Sequence, residues 1–123
     1  MMFLNPSRIL VARDPVDLRK GIAGLAAVCE VHLREEPLDG TLFVFVSRDR
    51  RGAKLLTWSH GGFVMVYKRL EKGRFRWPVL DGDRAVISPA ELAALLEGID
   101  LANARRLSRW NPVSRPTQAP TTG

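Results

Sequence analysis

The sequence holds a single cysteine, Cys29, so no internal disulfide can form and no CxxC zinc module is present. A reducing cytoplasm is the compartment this composition predicts. No apolar run approaches the roughly 20 residues of a membrane-spanning helix, and the longest, Gly21 to Cys29, falls far short. A secretory signal is not expected either, because Asn5-Pro6-Ser7 and Arg8 break the apolar start at once. Neither GxxxxGK[ST] nor GxGxxG occurs, which leaves a nucleotide cofactor without a phosphate cradle. There is no G-x-S-x-G elbow for a hydrolase nucleophile. His32 and His60 each lack a second His or Cys at metal-ligand spacing. Asp81 and Asp83, flanking Gly82, suit a turn. No cofactor and no catalytic centre are therefore expected, and a two-metal nuclease is a distant alternative.

What is present suits one soluble domain. The chain has 123 residues, 46% of them hydrophobic and 26% charged, which is ordinary for a globular protein with a single core. The net charge of +6 is unevenly placed. Residues 48–76 carry nine basic and two acidic side chains, while the segments on either side are close to neutral. Such a concentration suits an anionic partner, most often nucleic acid, although a merely solubilising surface is the plain alternative.

Local patterns give the elements. Arg8 to Arg13 is a short apolar strand candidate. Asp14-Pro15-Val16-Asp17 predicts a helix start, with Asp14 as cap and Pro15 in the first turn. Leu18, Ile22, Leu25, Cys29 and Leu33 then form an apolar stripe of helical period. Gly21 and Gly24 in that helix suggest close approach of another backbone, the sheet being the expected neighbour. Strands are predicted over Thr41–Ser47, Lys54–Ser59, Phe63–Leu70, Arg74–Trp77 and Arg84–Ile87, separated by turn residues. Ser88-Pro89-Ala90-Glu91 is a capping box opening a second helix, with Leu92, Leu95, Leu96 and Ile99 on its buried face and Gly98 at its end. The expected fold is α+β: a mainly antiparallel β-meander, two helices packed on it, and a disordered tail. Residues 1–102 form the domain, and 103–123, rich in proline, form a flexible tail in which Trp110 could dock.

Alternation in strands puts Arg74 and Arg76 on one face and Phe75 and Trp77 on the other. Lys68 and Arg69 close the preceding strand, Lys72 lies in its turn, and Arg48, Arg50, Arg51 and Lys54 gather at a hairpin tip. Together these predict a basic sheet face suited to a phosphate backbone, with Phe75, Trp77 and Tyr67 in the core. Arg19 and Lys20, near a helix start, are a second candidate anion site. The segment lacks the spacing of an RNP1 motif.

Several strings occur together: Asp17-Leu18-Arg19-Lys20-Gly21 before Gly24-Leu25, Leu42-Phe43-Val44-Phe45, and Arg51-Gly52 with Lys54-Leu55-Leu56 and Trp58. Tyr67 to Pro78 (YKRLEKGRFRWP) and Leu95-Leu96-Glu97-Gly98-Ile99-Asp100 complete the set. In this combination the chain resembles the small accessory protein called TnpB, encoded by the second open reading frame of bacterial insertion sequences of family sixty-six. The resemblance spans about residues 5–101. It implies a non-catalytic role in transposition beside a separate, larger transposase, and no known catalytic centre. His60 stands where that family often has an acidic residue, which weakens any metal role at the turn. DNA contact through the basic residues, or adaptor binding to the transposase without DNA, are the two functions to separate.

Overall fold

The structure, a computed structural model, describes residues 5–98. The proposed boundary at 102, the tail with Trp110, and Ile99 of the second helix lie outside the described residues. Five strands form one sheet: β1 (Ile9–Ala12), β2 (Leu42–Val46), β3 (Gly52–Ser59), β4 (Gly62–Arg69) and β5 (Arg84–Ile87). Two helices, α1 (Ile22–Val31) and α2 (Pro89–Leu96), accompany them. The strand order is β4-β3-β2-β1-β5. Only β1 and β2 run parallel, joined by the crossover that contains α1; every other neighbouring pair is antiparallel. The α+β, mainly antiparallel expectation holds. The meander itself is β2-β3-β4, and β1 and β5 extend the sheet on its other side.

Two layers of side chains explain the continuous apolar runs of β1 and β2, which are buried at every position. A strand covered on both faces has no need of polar alternation. On one face Leu10, Ala12, Phe43, Phe45 and Leu56 pack against Leu25, Cys29 and Leu33. On the other, Ile9, Val11, Val44, Val46 and Leu55 pack against Leu92 and Leu95, with Phe75 and Trp77 completing that layer. The helices therefore sit on opposite faces of the sheet. Helix α2 opens as its sequence requires: the Ser88 hydroxyl accepts from the Glu91 amide and the Glu91 carboxylate accepts from the Ser88 amide.

Two local expectations fail for identifiable reasons. Helix α1 does not begin at Asp14. The Val16 amide donates instead to the Val46 carbonyl, and the Asp17 carboxylate accepts from the amide and guanidinium of Arg19. These bonds fix an extended segment and a turn, so the helix waits until Ile22, with Gly21 as a cap that supplies no side-chain bond. Ile22 is consequently on the exposed side; a Cβ added at Gly21 would meet nothing within 4 Å, and one at Gly24 would meet the Lys20 side chain first, at 3.0 Å. Arg74–Trp77 is not a strand either. Its alternation is real, because Phe75 and Trp77 are buried while Arg74 and Arg76 are exposed. The segment lies over the sheet face instead of joining its edge, anchored by the Phe75 amide on the Arg50 carbonyl and the Trp77 indole on the Ala12 carbonyl. Among the described residues, no helix is long and apolar enough to cross a membrane.

Candidate nucleic-acid interface

Strand direction decides where the basic residues meet. The C-terminal ends of β1, β2 and β4 and the N-terminal ends of β3 and β5 share one end of the sheet. The β2–β3 hairpin at that end carries Arg48, Arg50 and Arg51. Arg69 pairs in register with Gly52 beside it. The chain after β4 is tied to the same hairpin, because the Leu70 amide donates to the Arg51 carbonyl and the Phe75 amide to the Arg50 carbonyl. That tie brings Lys72, Arg74 and Arg76 alongside. The basic residues are thus gathered at one end of the sheet, not spread over a face.

Charge pairing divides them. Arg19 is bound by Asp17, which its guanidinium holds well below the usual carboxylate range. Arg13 pairs with Asp14 and Arg84 with Asp83, and each pairing lowers the carboxyl group's pKa. Asp49 is held in the hairpin by the Ser47 hydroxyl and the Arg51 amide, which also lower its pKa. Among the described residues, Arg48, Arg50, Arg51, Arg69, Lys72, Arg74 and Arg76 have no carboxylate at ion-pair distance. All seven are exposed.

Two expected members stand elsewhere. Lys54 is buried on the α1 face, and its ammonium donates to the carbonyls of Leu18 (2.6 Å) and Lys20 (3.0 Å). It anchors the turn before α1 and is not part of an exposed hairpin tip. Lys68 donates to the Leu96 carbonyl at the end of α2, 2.8 Å away, on the opposite side of the sheet from Arg69. This bond satisfies an orphan carbonyl of a helix C-terminus and suits its dipole. Lys20 keeps an exposed side chain while its carbonyl holds Lys54. Tyr67, expected in the core, is 50% exposed.

Arg50 has φ 62, a left-handed backbone in which an arginine is strained by about 1 kcal/mol relative to glycine. The hairpin turn requires that conformation; its sequence spacing carried no sign of it. A second feature invisible to local pattern is Glu35, bound by both Arg8, which directly precedes β1, and Arg84 of β5. That cluster clamps the segment after α1 to the sheet edge.

Among the described residues, no three His, Cys, Asp or Glu side chains converge to hold a metal. Cys29 is fully buried, and burial pushes its thiol up to about 12, so it is a protonated core group at neutral pH. Ser59 and His60 share a 2.9 Å hydrogen bond within the exposed β3–β4 turn.

With this arrangement in view, the family can be assigned. Residues 7–106 match the family described as IS66 Orf2 like protein. The chain belongs to that family. The IS66 Orf2-like proteins are accessory proteins of insertion sequences, so the role of this chain lies in transposition. It is similar to two proteins of Sinorhizobium fredii (strain NBRC 101917 / NGR234). Uncharacterized protein y4hO is 42% identical over 107 residues, covering 85% of this chain and 90% of the relative. Uncharacterized protein y4jC is 34% identical over 118 residues, covering 94% and 97%. No solved structure matches the chain significantly. The family match contains the whole basic end, from Arg48 to Arg76.

Proposed function

We propose that this IS66 Orf2-like protein is a non-catalytic accessory factor that binds DNA of the element through the basic end of its sheet. The observation that carries this reading is the convergence of seven exposed cations, none with a carboxylate partner among the described residues, from the β2–β3 hairpin, the end of β4 and the following segment. Arginine donates in a planar fork that fits phosphate oxygens, and each contact releases a condensed counterion. The neighbouring acids offset only part of this field, because residues 48–76 hold nine basic side chains against two acidic ones, Asp49 and Glu71. Arg50 supports the reading further, since a strained backbone position keeps a guanidinium where glycine would be easier. Arg19 and Lys20 border the set, while Lys54 and Lys68 support the fold. The partners are then the DNA and the separate transposase of the same element.

The test is a duplex-binding titration of the full chain and of an Arg48→Ala, Arg51→Ala variant at low ionic strength. The variant should fold normally and bind more weakly. Equal binding by both proteins would contradict the proposal. A second reading, an adaptor that meets the transposase without touching DNA, has one observation in its favour: an apolar trough between β4 and α2, where Val66 is exposed beside Leu55, Leu92 and Leu96. Transposase capture by a chain that fails to bind DNA at any ionic strength would favour the adaptor.

A further inference from the structure

Beside the hairpin, between the Asp17–Arg19 turn and β4, lies an open groove lined by Arg19, Arg48, Tyr67 and Arg69 and by two carboxylates, Asp17, which pairs with Arg19, and Asp49, which the Ser47 hydroxyl and the Arg51 amide hold. Tyr67 provides an aromatic surface there. Its ring leans on Gly52 of the neighbouring strand, where an added Cβ would come within 3.0 Å of the ring and 2.8 Å of Leu18. A glycine at that position therefore lets the tyrosine lie against the sheet. The buried Lys54 ammonium lies over the ring, 5.5 Å from its centroid, and fixes it from within. The residue is still 50% exposed, so an aromatic ring is presented to the groove from a braced position. Arg48 and Arg69 on the rim have no carboxylate at ion-pair distance, and Arg19 is held in place by Asp17.

We infer that this groove takes an unpaired nucleotide of a DNA strand, the base stacking on Tyr67 and the flanking phosphates meeting Arg48 and Arg69. The inference rests on the DNA-binding reading above and adds a preference that duplex contacts alone do not give. A paired base keeps its faces inside the helical stack, so only an unpaired or flipped base can use an aromatic ring, while cations on the rim serve either form.

The test compares an oligothymidylate with a duplex of equal length, both fluorescein-labelled, on the full chain. Tyr67→Leu, which keeps an apolar cover over Gly52, should lower affinity for the single strand by about tenfold or more. It should leave duplex affinity within about twofold and both salt dependences unchanged; Tyr67→Phe should bind both probes as the parent does. Photo-cross-linking of a 5-iododeoxyuridine strand to the unaltered chain gives a readout that needs no variant, with the adduct expected on the peptide containing Tyr67. Unchanged single-strand affinity in Tyr67→Leu, or adducts only elsewhere, overturns the assignment while leaving duplex binding intact. Failure of both probes to bind at low salt overturns the DNA-binding reading, and this one with it.

Discussion

The Trp77 indole donates a 2.8 Å hydrogen bond to the carbonyl of Ala12, 65 residues earlier in the chain. This bond pins the segment after β4 to the end of β1, and so fixes where Arg74 and Arg76 stand relative to the hairpin arginines. Trp77→Phe keeps most of the buried ring and leaves the Ala12 carbonyl without its donor. The expected loss is about 1–3 kcal/mol of stability, read by denaturant unfolding. A variant as stable as the parent would show that the bond does not hold the segment.

Arg74, Phe75, Arg76 and Trp77 allow the two roles of that segment to be separated. Arg74→Ala with Arg76→Ala removes two exposed groups and should change stability by less than about 0.5 kcal/mol per site. The salt dependence of DNA binding should become shallower by about 2 on a log–log plot. Phe75→Ala should instead cost about 3–5 kcal/mol, since the ring is only 2% exposed, and harm binding only through unfolding. Early melting of the arginine pair with an unchanged slope would mark those residues as structural.

At the hairpin tip, Arg50→Gly relieves a left-handed backbone while it adds freedom to the unfolded chain. The two effects nearly offset, so the melting temperature should barely move. DNA affinity should fall, with the salt slope shallower by about 1. Parental binding by this variant would remove Arg50 from the interface.

Lys54→Met provides the complementary case. It strips the carbonyls of Leu18 and Lys20 of a charged donor inside the fold. A loss of about 1.5–3 kcal/mol is expected, with the salt slope unchanged among folded molecules. A stable variant with a shallower slope would return Lys54 to the DNA-contacting set.

The elements legible in the sequence are those fixed by near neighbours. The capping box of Ser88 and Glu91 needs only four residues, and both of its bonds form. The apolar run Leu42–Val46 identified a buried strand because its burial on two faces leaves no polar position. Elements decided by distant partners were not legible. Asp14-Pro15 carries every local mark of a helix start, yet a bond from Val16 to Val46 outweighs it. The insertion of β1 between β2 and β5 leaves no local trace. Alternation correctly sorted Arg74 and Arg76 from Phe75 and Trp77, because it follows from burial on one side whether or not a ladder forms. It could not reveal that the cations collect at a sheet end, which depends on how strand directions combine. Lys54 shows the same limit: nothing beside it in sequence indicates the carbonyls of Leu18 and Lys20 that claim its ammonium.

The central claim, that the basic end of the sheet holds a DNA backbone, is tested most directly by the affinity of the full chain for a short duplex between 50 and 200 mM salt. If about four of the seven unpaired cations neutralise phosphates, the log–log slope is about −3.6 and affinity falls by about two decades over that range. A slope near zero, or no binding at the lowest salt, would contradict the account.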